Sequence, residues 1–548
     1  MEMKTLCRKA ALIATIAVAT LSGSNHVETA APDVIYDAVI TNGRIVDGTG
    51  NPWFRADIGI RDGRIVRIGR INPGEAKAVI DARDRIVAPG FIDVHTHVES
   101  LFSLPAAENF VRMGVTTLVT GNCGTSTTDV AEFLGRVKAR PTTVNIATLV
   151  GHGSVRRRVM NLVDRPPTPD EMKQMEALVE RSMKEGAVGL STGLIYVPGT
   201  FARTDEIVSL ARVVARNGGL YVTHMRSEGE HVLDAVRESI QIGEQAGLPV
   251  DISHFKISSK KLWGQTPATL QLIREARARG LSVTVDQYAY TASSTSLEAR
   301  IPAWLREGGL EEAKKRLADK AIRQRVADEM KDVLKRSGFK DYSHSMVASY
   351  DADKSFNGKS IAEITELVQG KKDLKNQIEQ VLTIYESGGA SMVYHSMSED
   401  DVQRIMREPF TMIGSDSGVR QIDESVPHPR GYGNNVRVLG RYVRELKIIT
   451  LEDAIRKMTS LPAQTFGFRD RGILREGFTA DLVIFDAATV GDRATFTQPH
   501  QYPAGIDYVM VNGQLVFARG VMTGVHPGVA LHGPGVSRSS SQSVAQRL

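Results

Sequence analysis

The chain has 548 residues, 42% hydrophobic and 24% charged, enough to bury the core of one large domain plus a smaller one, so disorder is not its default state. Lys and Arg number 68 against 63 Asp and Glu; a formal charge of +5 spread over this length leaves no concentrated basic footprint, which argues against nucleic acid as a partner. The densest basic spot, Arg156 to Arg158, reads as a solvated loop or as the holder of an acidic ligand group.

In chain order, Lys4, Arg8 and Lys9 precede an apolar stretch from Ala10 to Leu21 and then a small-residue region. That order predicts a secretory signal over residues 1–30 and a periplasmic or secreted protein. The apolar stretch, about a dozen residues, is too short to span a bilayer, and no later apolar run is long enough, so no stable membrane span is expected. Cys7 would leave with the signal, so the mature chain keeps Cys123 alone and has no internal disulfide.

"YDAVITNGRIVDGTG" and "RADIGIRDGRIVRIG" alternate apolar and polar residues and break at Asn42-Gly43 and Asp62-Gly63, predicting β-hairpins with primed turns. "FTADLVIFDAA" and "IDYVMVNGQLVFARG", with Asn512-Gly513, repeat the pattern near the other end. Each hairpin needs a partner for its apolar face, so residues 34–88 and 471–525 are expected to form one small β-sandwich around the middle of the chain.

The middle, residues 89–470, reads as an α/β fold. "GFIDVHTH", "GVTTLVTGNCG", "TTVNIATLVGHG", "GAVGLSTG", "GLYVTHMRSE", "LPVDISHFK", "LSVTVDQYAY" and "PFTMIGSDSG" are short apolar runs ending in polar residues and followed by helical patterns. Such a series predicts a closed (β/α)8 TIM-like barrel with its site at the C-terminal strand ends. A further candidate strand, "GASMVYHS", falls in residues 296–407, a mainly helical insertion or lid rich in Lys, Glu and Asp. Residues 526–548, Ser-rich from Ser537, are expected to be a flexible tail.

His95 and His97 form an H-x-H after "GFIDV"; residues two apart on a strand share a face, so both imidazoles can point to one centre. Cys123, His224 and His254 each follow a barrel strand in the same way. A thiolate with imidazoles is a soft donor set suited to Zn2+, unlike the oxygen cages of Mg2+ or Ca2+. Singly, such residues read as a buried small hydrophobe or as structural histidines; the combination points to a metal. Asp416 in "TMIGSDSG" is placed to accept a proton from water and pass it to a departing nitrogen, or else to cap the next helix.

These motifs, with "GLSTGLIYVPG", "SYDADKSFNGKSI", "VYHSMSEDDV" and "GSDSG" followed by "HPR", make the chain resemble the N-acyl-D-amino-acid deacylases, or D-aminoacylases, of the amidohydrolase superfamily, from about Val34 to Gly524. The resemblance implies a firmly held zinc on Cys123, His224 and His254, and a weaker second metal position on His95, His97 and Asp416. It also implies that Asp416 is the catalytic base and acid. Many binuclear amidohydrolases use a bridging carboxylated lysine; neither "ISHFK" nor "GLSTG" supplies one, and Cys123 stands as its substitute.

By the same resemblance Arg430 in "PHPRGYG" holds the substrate carboxylate with help from Tyr196 and Ser293, and Arg437 is a second candidate. Arg226 and Glu228 flank His224, either as site residues or as an ion pair that orients it. Lys256 reads as a solvated lysine at a strand end, although it shares the face of His254. His152, His395 and His428 fall in loops facing the mouth. The implied reaction is zinc-dependent hydrolysis of N-acyl-D-amino acids. A D-peptide hydrolase, a hydantoinase-like cyclic amidase and a noncatalytic zinc-stabilised binding protein are the alternatives.

Overall fold

The structure, a computed structural model, describes residues 36–98 and 101–536. The expected signal segment and the Ser-rich stretch from Ser537 lie outside them. Among the described residues no helix is long and apolar enough to cross a membrane.

The two ends of the chain meet in one nine-stranded sheet. Ile86–Pro89 from the N-terminal side pairs antiparallel with Leu482–Phe485 from the C-terminal side. The sheet folds over on itself: Ile65 N–H donates to Phe478 O at 2.9 Å. Ile40, Ile58 and Ile65 then share one core with Leu482, Ile484 and Met510. Asp62-Gly63 and Asn512-Gly513 make the expected two-residue turns, with φ of 51° and 74° and of 49° and 77°. Asn42-Gly43 does not turn. Strand Ala38–Ile45 runs straight through it with a register shift between Ile40 and Gly43, a bulge that absorbs the left-handed Asn42. Packing requires glycine there, because a Cβ on Gly43 would lie 2.6 Å from Val87 Cγ2.

The barrel strands are β1 (Phe91–Asp93), β2 (Val115–Thr120), β3 (Asn145–Thr148), β4 (Gly189–Gly193), β5 (Leu220–His224), β6 (Val250–Ile252), β7 (Val283–Gln287) and β8 (Thr411–Ile413). All eight coincide with the expected segments, and every residue in them is buried, as parallel strands covered on both faces require. Closure comes just past the strand ends: Asp416 N–H donates to His95 O at 2.8 Å and His97 N–H to Ser417 O at 2.9 Å. The outer helices carry their own stop and start signals. Pro169–Glu185, for example, begins with a reciprocal Thr168/Glu171 capping box and ends on left-handed Gly186.

The barrel wall has a seam. β4 pairs with the third segment at Val150 and Gly151, and Val188 N–H donates to Thr148 O at 2.9 Å, but below that point β3 pairs with no barrel strand on this side. Residues 526–536, expected to belong to a flexible tail, fill this seam instead. Ile146 N–H donates to Val529 O at 3.0 Å, Leu531 N–H to Ile146 O at 2.7 Å and Gly533 N–H to Gly186 O at 2.9 Å. Composition hid this because the backbone of the tail, more than its side chains, makes the bond ladder.

The insertion between β7 and β8 has its own core, including Leu297, Leu305, Met330, Ile361, Leu382 and Tyr394. The supernumerary strand of the sequence, Ser391–Tyr394, is the middle of a three-stranded antiparallel sheet whose edges are Ser293–Ser296 and Ser345–Ser349. Helix Glu399–Met406, placed by sequence inside the insertion, packs on the barrel: Val402 and Met406 lie in the barrel core. The insertion therefore ends before residue 399.

Candidate metal centre and its cavity

All six candidate ligands stand at or just beyond the C-terminal ends of strands: His95 and His97 after β1, Cys123 after β2, His224 on β5, His254 after β6 and Asp416 after β8. Three of them, Cys123, His254 and Asp416, adopt left-handed backbone with φ of 55°, 33° and 52°. Non-glycine residues hold that conformation at a cost, and its concentration here marks a site whose surroundings enforce side-chain direction. At Cys123 the enforcing element is the tight Gly121–Gly124 turn: a Cβ on Gly124 would sit 2.7 Å from Gly193 N.

The sulfur of Cys123 is ringed by imidazole nitrogens: His95 Nε2 at 3.4 Å, His254 Nε2 at 3.6 Å and His224 Nδ1 at 3.7 Å. A tetrahedral zinc with metal–sulfur and metal–nitrogen bonds of about 2.3 and 2.05 Å has sulfur–nitrogen edges of roughly 3.6 Å. The donor set fits that ion in kind and in spacing. Cys123 belongs to two ligand groups at once, with His224 and His254 and with His95 and His97; His95 also groups with His254 and Asp416. It thus stands where a bridging ligand would.

Protonation fits as well. Burial pushes the His224 and His254 imidazoles below their ordinary range, keeping them neutral and able to coordinate. Burial, reinforced by the Asp416 charge, drives the Cys123 thiol well above its normal value, so the thiolate needs a cation beside it. Burial also opposes ionisation of Asp416, but Arg430, His95 and His97 outweigh it and hold the carboxyl well below the usual range. Asp416 Oδ1 lies 3.2 Å from His97 Nε2 and 3.6 Å from His95 Nε2, and Oδ2 lies 2.9 Å from Arg430 Nη2.

Lys256 is not solvated. It is buried, and its Nζ lies 2.6 Å from Glu228 Oε1 and 2.8 Å from His254 Nδ1. Glu228 Oε1 is also 3.0 Å from His254 Nδ1 and 3.7 Å from His224 Nε2, so one carboxylate backs two histidines. Arg226 does not pair with Glu228; it binds Glu238 and the carbonyls of Thr200 and Ala202. Beneath the candidate ligands lies Asp286, unremarked in the sequence, with Oδ2 3.2 Å from His95 Nδ1 and Oδ1 accepting from His254 N–H at 2.8 Å. Beside it, burial and the Asp286 charge push Asp251 well above the carboxylate range.

A cavity of about 660 Å3 opens over this cluster, walled by Tyr196, His224, Glu228, Lys256, Ser293 and Asp416. The Tyr196 hydroxyl pairs with Thr295 Oγ1 at 2.8 Å and its ring lies 5.0 Å from that of His224. Arg430 opens helix Arg430–Arg437, with its guanidinium over the Tyr288 ring and Nη2 also donating to Ser294 O at 3.2 Å. Its Nη1 is buried without a partner. Arg437 points elsewhere, to Asp492 and Ala289 O. Of the loop histidines, His428 accepts from Arg430 N–H at 3.0 Å and so positions that arginine. His152 and Arg156 share Glu206 in the interior, which removes Arg156 from both sequence-based readings, and His395 packs beside Phe496 away from the ligands.

Comparison with known proteins gives consistent results. The amidohydrolase family profile matches residues 78–517, and that of the urease alpha-subunit N-terminal domain matches residues 18–90. A D-aminoacylase from Alcaligenes xylosoxydans xylosoxydans is 36% identical over 521 residues, 90% of this chain and 97% of that protein. An N-acyl-D-glutamate deacylase from the same organism is 37% identical over 504 residues, 88% of this chain and 93% of the relative. The crystal structure of N-acyl-D-glutamate deacylase from Bordetella bronchiseptica, complexed with zinc and a phosphonate mimic of the tetrahedral intermediate, superposes with a TM-score of 0.78. It is 35% identical and covers 91% of this chain and 100% of its own. A D-hydantoinase structure, 16% identical with a TM-score of 0.53, shares the fold.

Proposed function

The chain belongs to the amidohydrolase family, and we propose that it hydrolyses the amide bond of N-acyl-D-amino acids, releasing a carboxylic acid and a free D-amino acid. The observation that carries this reading is the convergence of Cys123, three imidazoles and Asp416 on one point, with His224, His254 and Asp416 lining the cavity and Arg430, paired with Asp416, keeping a buried Nη1 without a partner. Cys123, His224 and His254 would hold the zinc; His95 and His97, both within 3.6 Å of Asp416 Oδ1, would with that carboxylate serve a second, weaker ion. When bound, zinc supplies a Lewis acid for the acyl carbonyl and lowers the pKa of water at the site.

Asp416 enters as an anion because Arg430 ties its Oδ2. Its Oδ1 faces the ligand cluster, takes a proton from the attacking water and returns it to the amide nitrogen as the carbon–nitrogen bond breaks. Arg430 uses Nη2 on Asp416 and keeps Nη1 for the substrate carboxylate, with the Tyr196 and Ser293 hydroxyls as further donors. That second nitrogen suits an acyclic substrate with a free carboxylate better than a cyclic amide. The order of basic, apolar and small residues in the first 30 positions supports export as part of this proposal.

Release of free amino acid from a panel of N-acyl-D- and N-acyl-L-amino acids, with and without chelation, tests the reading. Activity should be confined to the D series, be lost on chelation and fall about 10²–10⁴-fold in Asp416→Asn. Full activity in that variant would overturn the role of Asp416, and zinc binding without turnover of any substrate would favour a binding protein.

A further inference from the structure

Two candidate ligand histidines that both face the Cys123 sulfur rest on the same buried side chain. Asp286, the fourth residue of β7, has no measurable exposure. Its Oδ2 lies 3.2 Å from His95 Nδ1, and its Oδ1 accepts the backbone N–H of His254 at 2.8 Å. The first contact keeps the proton on His95 Nδ1, so the lone pair of Nε2 faces the Cys123 sulfur 3.4 Å away. The second holds the peptide of a residue in left-handed backbone, φ 33°, which directs the His254 ring to the same sulfur at 3.6 Å.

We propose that Asp286 is the positioning residue of the metal centre, a single carboxylate that sets the ring orientation of His95 and the backbone of His254 and thereby ties the two ligand groups that meet at Cys123 into one unit. Glu228 backs His224 and His254, whereas the carboxylate contact to His95 Nδ1 comes from Asp286. The space for Asp286 is kept by Gly414 just past β8: a Cβ there would stand 2.8 Å from His95 Cβ and 3.1 Å from Asp286 Oδ1. A larger residue there would press on both His95 and Asp286. The inference rests on the metal reading of the Cys123 cluster, and its test needs no substrate.

The full chain loaded with zinc, and separately with cobalt, is compared with Asp286→Asn, Asp286→Ala and the neighbouring control Asp251→Asn. Asp286→Asn is isosteric and keeps an acceptor for His254 N–H but offers His95 an ambiguous amide. Its resistance to stripping by a chelator should fall about 10–100-fold, and that of Asp286→Ala further. The thiolate-to-cobalt absorption should shift in both Asp286 variants and stay unchanged in Asp251→Asn. In metal-free, histidine-labelled protein the hydrogen-bonded His95 imidazole N–H resonance should vanish from both Asp286 variants and persist in Asp251→Asn, which separates positioning from a general loss of fold. Wild-type chelator resistance and cobalt spectrum in Asp286→Ala, or an Asp251→Asn variant as impaired as Asp286→Asn, overturns the proposal. A wild-type chain that takes up neither metal overturns the metal reading with it.

Discussion

Arg430 and Asp416 form a buried ion pair, Nη2 to Oδ2 at 2.9 Å, with side chains 5% and 9% exposed. β8 delivers the acid and the following helix the base, so the group proposed to move the proton and the group proposed to bind the substrate carboxylate are charge-coupled before substrate arrives. Two consequences follow from removing either half of Arg430's fork. Arg430→Lys keeps a counter-charge for Asp416 but loses the second nitrogen, so KM should rise at least about 10-fold with a smaller change in kcat. Arg430→Ala also takes the counter-charge from Asp416 Oδ2, and kcat/KM should fall about 10³-fold or more. Steady-state kinetics on one N-acyl-D-amino acid measures both; an unchanged KM in the alanine variant would remove Arg430 from substrate binding.

Lys256 and Glu228 are a second buried pair, with side chains 4% and 11% exposed. Lys256→Met leaves the buried Glu228 carboxylate with only the two imidazoles beside it and no counter-charge, and metal-free protein should lose roughly 3–5 kcal/mol of stability. Adding Glu228→Gln removes the stranded charge and should restore a large part of it. A double-mutant cycle read from apparent melting temperatures checks this; additive losses would mean the pair carries no coupling.

His344 stacks on Phe339 with ring centroids 3.9 Å apart and planes 14° from parallel. Burial, helped by the nearby charge of Arg300, lowers its pKa from 6.5 to about 4. The unfolded chain therefore binds a proton near pH 6.5 that the folded insertion refuses, and stability contributed by neutral His344 is present above that pH. It declines as pH falls through the window toward 4, by at most about 1.4 kcal/mol per pH unit. His344→Phe should flatten the acid limb of the melting curve between these values; a variant limb parallel to wild type would show that other groups set it.

Truncation after residue 525 opens the seam between β3 and β4 and strips the backbone partners of Ile146, Thr142 and Gly186. At roughly 1 kcal/mol per lost bond, and more where the freed group stays buried, the barrel should melt several degrees lower. Differential scanning calorimetry of the truncated and full chains decides it, since a true flexible tail would leave the transition unmoved.

The eight strands and the candidate ligands at their ends were legible because parallel strands buried on both faces are continuous apolar runs, and a titratable side chain breaks such a run at its end. Cys123, His224, His254 and Asp416 all stand at such breaks. Lys256 was misread for the opposite reason. Its partner Glu228 lies 28 positions away, and nothing local distinguishes a lysine paired in the interior from one in water. Asp286 gives no sign either, because inward-pointing polar residues on a barrel strand serve packing, hydrogen bonding and ligand support alike. Arg156 looked like surface charge until Glu206 was brought beside it, 50 positions on. The Asn42-Gly43 bulge escaped because the dipeptide signals positive φ without saying whether the chain then reverses.

The sheet shared by the two chain ends sets an order of assembly. Arg64 Nη1 reaches Gly477 O across 413 positions of sequence, and Ile86–Pro89 has no antiparallel partner until Leu482–Phe485 is made. At ordinary rates of synthesis that interval is roughly 20–80 s, during which the first hairpins present an apolar face and an unpaired edge. The last strands to emerge therefore quench the hazard that the first ones create, and a ribosome stalled before Leu482 would release a barrel still carrying an adhesive edge.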